Sequence, residues 1–318
     1  MAGMVSASLI YTSSKVTMNP DSQLDKHPAS IIDYLKTLPI YLLPHHLLSR
    51  LMMALTRVRF KPIKNAHIKW FIKQFGVDMA IAENPDPCSY PDFNSFFTRA
   101  IKSDARAIVA GTGQIACPVD GKVSQGGQIK EEMIFQAKGH QYTLTTLLGG
   151  NSDRTKPFRN GAFVTLYLSP KDYHRIHMPL DGVLKEMIHI PGRLFSVSPA
   201  STRVVSGLFA RNERVVTLFD TEVGPMALIM VGALNVGSIE TVWHGVVTPP
   251  SSKIIKARNY PKAGESDIRL KRGDELGRFN MGSTVILLFG QDAVTLSHDI
   301  SAGNSVRMGQ LFATQQGQ

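Results

Sequence analysis

Four side chains are of types and spacings that could do chemistry together: Asp120, His174, His177 and Ser283. Asp120 sits in "CPVDGKVSQ", a Pro-Val-Asp-Gly turn between two β-like runs, where each of these residues also favours a turn for backbone reasons alone. His174 and His177 lie three apart in "YLSPKDYHRIHMPLDG". A histidine held by a carboxylate is a general base at neutral pH. The same pair could ligate zinc, but no HExxH pattern or cysteine ligand pair accompanies it, and no metal is expected. Ser283 stands between Gly282 and Thr284 in "GRFNMGSTVILLFG".

The order Asp120, His177, Ser283 is one of the chain orders in which Asp-His-Ser triads occur. A serine hydrolase would turn Ser283 on an outside ester or amide and leave the chain intact. Ser283 lacks the GxSxG elbow, however, and the residue before it has the freest backbone. That arrangement also suits attack by the serine oxygen on the carbonyl of Gly282, its own upstream peptide. A glycine bend entering a strand, with hydroxyls satisfying free amides, would need neither chemistry.

These groups need a rigid scaffold. Val285 to Phe289, five apolar residues bounded by turn residues, predict a short buried strand. Similar runs begin near residue 108, among them "GAFVTLYLS" and a hairpin turning near Gly224-Pro225 followed by a third strand. Ahead of them, residues 30 to 80 read as helices broken at Pro39, Pro44 and Pro62, and another helical piece carries Phe93, Phe96 and Phe97. The fold class expected is α+β: N-terminal amphipathic helices, then a mostly antiparallel β-rich catalytic domain. Residues 1–28 are polar and mixed and read as a loose tail, 29–107 as the helical region, and 108–318 as the catalytic domain.

The chain has 318 residues, 43 % hydrophobic and 19 % charged, an ordinary globular balance. Two cysteines, Cys88 and Cys117, are too few for a disulfide framework. The first twenty residues hold no apolar core of signal-peptide length, and no apolar run is long enough to span a bilayer. A cytoplasmic protein, free or attached to a surface, is expected. The formal net charge of +10 favours an anionic partner. Between His45 and Phe75 there are seven Lys/Arg and no acid, interleaved with "LLPHHLLSRLMMAL" and "IKWFIKQF". Basic amphipathic helices of this kind suit an anionic lipid surface, with Trp70 and Phe71 near headgroup depth. Nucleic acid is not expected, since no recognised module is present.

In order along the chain, "PVDGKVSQ", "QAKGH", "FRNGAFVTLYLSPKDYHRIHMPLDG", "LFARNERVVTLFDTEVGPMALIMVGALNVGSIETVW" and "GRFNMGSTVILLF" resemble the bacterial phosphatidylserine decarboxylases. The resemblance runs from about residue 30 to about residue 310 and leaves the tail outside. It implies a carboxy-lyase that converts phosphatidylserine to phosphatidylethanolamine and carbon dioxide, through a Schiff base with a pyruvoyl group. That cofactor would be made from Ser283 when the chain cuts itself after Gly282, giving a β chain, 1–282, and an α chain, 283–318. The resemblance assigns Ser283 as nucleophile, His177 as base and Asp120 as its orienting carboxylate. His174 is the candidate proton donor in turnover, with His177 as competitor. The implied partners are phosphatidylserine in an anionic membrane and the α and β chains as a heterodimer, with a dimer of heterodimers as the larger assembly. The implied location is peripheral, on the cytoplasmic side of the cell membrane, through residues 41–75. One departure stands out: Met281 replaces the leucine usual in the Leu-Gly-Ser-Thr cleavage motif, an exchange that conserves volume.

Overall fold

The computed structural model describes residues 29–137, 140–234, 238–249, 254–261, 264–281 and 283–317; the tail expected over 1–28 and Gly282 lie outside these residues. Proline placement sorts the front of the chain into α1 (Ile31–Leu42), α2 (His45–Thr56), α3 (Lys61–Phe75) and the short α4 (Phe93–Phe97). Pro44 precedes α2 and Pro62 falls in the first turn of α3, where a missing N–H costs no helical bond. The break expected at Pro39 does not occur, and α1 runs through it to Leu42. Proline there removes one bond to the Leu35 carbonyl, and α1 is held from its other end instead. The Asp33 carboxylate accepts two hydrogen bonds from Arg203, at 2.9 and 3.1 Å, which hold its pKa down at about 2.

Helix α3 buries one stripe, Lys64, Ile68 and Phe71, at i, i+4 and i+7. Phe71 joins Ile68, Val77, Phe93, Phe96 and Phe97 in an aromatic cluster between α3 and α4. Of the pair expected at headgroup depth, Trp70 is 55 % exposed and Phe71 only 5 %. Phe71 is therefore a core residue. Lys64 also leaves the surface basic set, because its Nζ donates to the carbonyls of Cys88 and Tyr90.

The remaining chain is strand with short helices. β1 (Gln114–Ala116), β2 (Gly121–Gln128), β3 (Met133–Ala137) and β4 (His140–Thr143) precede α5 (Leu144–Leu147) and β5 (Ala162–Leu168). β6 (Arg175–His177) and β7 (Gly182–Ile190) lead to α6 (Pro199–Val204) and α7 (Leu208–Arg211). β8 (Arg214–Thr221) and β9 (Gly224–Val231) form the expected hairpin. Then come β10 (Ser238–Thr241), β11 (Gly245–Val246), β12 (Lys256–Asn259), β13 (Arg269–Leu270), β14 (Glu275–Asn280) and β15 (Ser283–Phe289). β16 (Val294–Leu296), β17 (Ser305–Val306) and β18 (Leu311–Gln315) complete the order.

The largest sheet runs β12-β7-β8-β9-β15-β5-β2-β17, with β13 also on β7; a second runs β11-β10-β14-β6. The third strand after the hairpin, β10, thus crosses to the second sheet. β15 lies in the middle of the first, antiparallel to β5 and β9, and all seven of its residues are buried. Val285, Leu287 and Phe289 pack with Ile176, Leu276 and Phe279 of the second sheet. Ile286 and Leu288 share the opposite face with Leu144, Leu147 and Phe209 of α5 and α7. A strand covered on both faces needs no polar alternation, so it reads as one apolar run. Burial of its five large side chains contributes on the order of 10 kcal/mol before conformational entropy is counted. The architecture is the expected α+β.

The Asp33–Arg203 pair tests how α1 is attached. Because the carboxyl pKa is lowered on folding, its contribution is complete above the ordinary carboxylate range and is lost as pH falls through about 2. Arg203→Gln should raise amide hydrogen exchange across residues 31–42 at neutral pH while leaving β15 protected.

Candidate active site

Ser283 opens β15 with its side chain fully buried, and its Oγ has no hydrogen-bond partner among the described residues; the same is true of Thr284 Oγ1. A buried hydroxyl left unpaired costs about 1–3 kcal/mol. The backbone just ahead is strained as well. Met281 has φ of 93°, a left-handed value that side-chain-bearing residues rarely adopt. Two anchors hold it there. Its side chain packs against the aromatic cluster of α3 and α4, where a flexible thioether fills an irregular gap. The neighbouring Asn280 accepts from Asn94 Nδ2 at 2.9 Å and donates to Ser238 Oγ and to Glu240 Oε1, the latter at 2.6 Å.

Sheet register brings the histidines to this corner. Ser283 pairs with Leu168. From Leu168 a turn capped by Asp172, whose Oδ2 accepts from Ser169 N and Oγ at 2.7 Å each, delivers Tyr173, His174 and β6. β6 runs beside β14: the Phe279 N–H donates to the His174 carbonyl at 3.1 Å, and His177 sits opposite Glu275. Both histidines therefore adjoin the strand that leads into Met281.

His177 Nδ1 donates to the Gly273 carbonyl at 2.8 Å, which leaves the lone pair on Nε2. The Tyr173 hydroxyl donates to that nitrogen at 2.9 Å. Burial lowers the His177 pKa and pushes the Tyr173 phenol up to about 12, so at neutral pH the ring is a neutral base capped by a protonated phenol. His174 is fully buried, its ring centroid 4.2 Å from that of Phe97. Its Nδ1 donates to the Asp172 carbonyl at 2.8 Å, and its Nε2 has no partner among the described residues. Burial drives its pKa down to about 3. A ring in that state accepts a proton at Nε2 before it can donate one.

Asp120 arrives by close backbone packing. The Pro118 carbonyl accepts from His177 N at 2.9 Å, and Gly121 lies so near Tyr167 that a Cβ would sit 2.5 Å from its carbonyl oxygen. The carboxylate itself is engaged by the Arg106 guanidinium through both oxygens and by the Met308 N–H at 2.8 Å. Orientation of His177 thus falls to the Gly273 carbonyl, where a direct Asp120 contact was expected. The planar guanidinium offers the carboxylate two parallel bonds where an imidazole offers one. Asp120 still acts on His177 through space, its charge and that of Glu275 favouring the protonated ring.

Sequence reading missed Arg106, Tyr173, Asn280 and Arg99. Arg99 is buried, with its pKa lowered by burial, and its Nη2 reaches the Lys171 carbonyl in the turn before His174 at 3.3 Å. Tyr173 and Asn280 were within reach of a positional argument, being next to His174 and three residues from Ser283. Arg106 carried no such signal.

The lowered pKa of His174 has a thermodynamic consequence. The unfolded chain binds this proton near 6.5 and the folded chain only near 3, so stability falls as pH drops below 6.5 and continues to fall toward 3. His174→Gln should make the acid limb of a thermal-midpoint-against-pH curve shallower.

A family model described as phosphatidylserine decarboxylase matches residues 93–314, and one described as PSD matches residues 35–76. The chain is 53 % identical over 284 residues to the phosphatidylserine decarboxylase proenzyme of Pseudoalteromonas atlantica, an alignment spanning 89 % of this chain and 99 % of that protein. The proenzymes of the same name from Ectopseudomonas mendocina and Pseudomonas putida are 53 % and 54 % identical, over 87 % and 86 % of this chain and 96 % and 95 % of theirs. With matches of this extent, the chain belongs to the phosphatidylserine decarboxylase family.

Proposed function

We propose that this chain is a self-processing decarboxylase that converts phosphatidylserine to phosphatidylethanolamine and carbon dioxide. The observation that carries the reading is Ser283, a buried and unpaired hydroxyl fixed at the head of the central strand, just beyond a strained residue. Its Oγ attacks the Gly282 carbonyl, and the hydroxyl proton passes to His177 Nε2 once the Tyr173 hydroxyl gives way. Asp120 and Glu275 stabilise the imidazolium that forms. Asn280 and Met281 hold the upstream side of the bond while β15 holds the downstream side.

The Gly282–Ser283 C–N bond breaks as the ester forms. β-Elimination then frees the β chain, 1–282, as a carboxylate and leaves dehydroalanine at residue 283. This residue takes up water and loses ammonia to become the pyruvoyl group that heads the α chain, 283–318. That group supplies the electron sink that amino-acid decarboxylation requires and side chains lack. The unpaired Ser283 Oγ marks where it would sit. His174 Nε2, neutral and unpartnered, takes a proton from the substrate ammonium and returns it to the α-carbon that has lost carbon dioxide. The two chains stay together as a heterodimer because the α chain owns β15 to β18, which pair with β5, β9, β2 and β1, and because Met308 N binds Asp120.

Residues 29–107 serve as the membrane-associating region and 108–318 as the catalytic domain. Ile31, Leu35, Leu47, Leu51, Ile63 and Trp70, on α1 to α3, are each more than half exposed. An apolar surface of that extent marks an interaction site, and Arg50, Arg57, Arg59 and Lys61 give it affinity for anionic lipid. The docking surface therefore extends beyond residues 41–75 to include α1. No helix among the described residues is long and apolar enough to cross a membrane. Attachment is peripheral in this reading, on the cytoplasmic face.

Intact mass under denaturing conditions tests the proposal. Purified protein should give two chains split after Gly282, the smaller lighter by one ammonia than simple hydrolysis would leave it. Ser283→Ala should give one full-length inactive chain, and two chains in that variant would remove Ser283 as the nucleophile. Asn280→Ala should slow the cut by about tenfold or more, the equivalent of one charge-assisted hydrogen bond lost in the transition state.

A further inference from the structure

β11 and β12 are the outer strands of the two main sheets, and residues from both line one cavity of about 190 Å³. That is room for a phosphate group with some of its water. His189, His244, Lys256 and Arg258 line it together with Val246, Val247 and Pro249, and among the described residues no carboxylate does.

The side chains of β12 point against the usual economy of an edge strand. Lys256 and Arg258 are half-buried, while Ala257 and Asn259 between and beyond them are exposed. Inward charges do discourage edge-to-edge pairing, and two of them on one wall of a cavity favour an anion there. Neither cation forms an ion pair among the described residues. Lys256 is the register partner of His189 on β7. His189 is 1 % exposed; its Nε2 donates to Glu213 Oε1 at 3.0 Å, and its Nδ1 has no partner among the described residues. Two inward cations and His189, whose Nδ1 has no partner among the described residues, thus line a cavity that no described carboxylate lines.

The occupant is not the reacting headgroup. His189, Val215, Met230 and Val285 are register partners on successive strands, which puts His189 three strands, roughly 14 Å, from Val285. A phosphatidylserine amine at residue 283 has its own phosphate only a few bonds away. Along the chain, β7 leads from this cavity toward the apolar helices. Three residues beyond His189, the Gly192 carbonyl accepts from His46 of α2 at 3.0 Å, and Arg193 donates to the Tyr41 carbonyl at 2.9 Å.

We propose that this cavity is a second anion site, which takes the phosphate group of a ligand other than the lipid undergoing reaction. Lys256 and Arg258 bind the phosphate oxygens. His189 Nδ1 accepts from a hydroxyl of the bound ligand. The phosphate can be that of an anionic lipid headgroup or of a soluble phosphate compound, and the assignment is independent of the activity proposed for Ser283.

The test compares the full chain with Lys256→Gln/Arg258→Gln and with a charge-matched control, Lys122→Gln/Lys130→Gln, two exposed lysines elsewhere on the surface. Inorganic phosphate and glycerol 1-phosphate are titrated calorimetrically at constant ionic strength. Flotation is measured with phosphatidylcholine vesicles with and without phosphatidylglycerol. The β12 variant should bind phosphate about tenfold more weakly or worse, and the control should match the parent. Loss of phosphatidylglycerol-dependent flotation in the β12 variant alone identifies a lipid headgroup; unchanged flotation with weakened glycerol phosphate binding identifies a soluble ligand. Should the variant lose thermal stability, the His189 ring resonances of the parent read the same contact, moving with phosphate and not with chloride. Equal behaviour of variant and control in every titration and flotation, or His189 resonances indifferent to phosphate, overturns the proposal.

Discussion

Everything about the candidate site depends on how firmly the chain is held on either side of residue 282. Downstream, β15 is hydrogen-bonded to strands on both sides and buried on both faces, so Ser283 cannot shift without disturbing the core. Upstream, Asn280 is fixed by three polar partners and Met281 by an aromatic cluster. A residue at φ of 93° relaxes unless its surroundings over-determine it, and here they do. The strain and the unpaired Ser283 hydroxyl both raise the energy of the intact chain. Neither would persist on a mobile loop.

Burial does the electrostatic work as well. His177 and His174 are each held as the Nδ1–H tautomer by a backbone carbonyl, and each keeps Nε2 as its basic atom. Desolvation keeps both rings neutral, one with a phenol on its basic nitrogen and one with no partner there among the described residues. Two like residues three positions apart thereby differ in what their basic nitrogens meet: His177 Nε2 carries the Tyr173 hydroxyl, and His174 Nε2 is buried without a partner among the described residues. Asp120, spent on Arg106 and Met308 N, ties the segment before β2 to the one before β18 and leaves a field at His177 in place of a bond.

The sequence disclosed most where one rule governs a segment. Val285 to Phe289 is an unbroken apolar run because β15 has no wet face, and Pro44 and Pro62 mark helix starts because a first-turn proline loses nothing. Pro39 misled because a rule about lost hydrogen bonds cannot weigh the anchor that Arg203, some 170 positions away, gives α1. Phe71 and Lys64 misled because α3 carries apolar residues on two sides, and only packing tells which side is buried. Within the site, residue types named Asp120, His174, His177 and Ser283. The partners Arg106 and Gly273, which decide what those residues bond to, come from loops whose approach is set by tertiary packing and leave no local pattern.

Helix α3 has an exposed apolar side and a buried one. Ile63 and Trp70 face outward, where a lipid surface would meet them, while Ile68 and Phe71 enter the cluster against which Met281 packs. Side chains in such a cluster are close-packed, so a displacement of the helix is transmitted to its contacts. Asn94, on α4 in the same cluster, passes a second contact directly to Asn280. The residues that brace the strained backbone are therefore the inward side of the element that would rest on the membrane. In this fold a displacement of α3 reaches the backbone just upstream of Ser283.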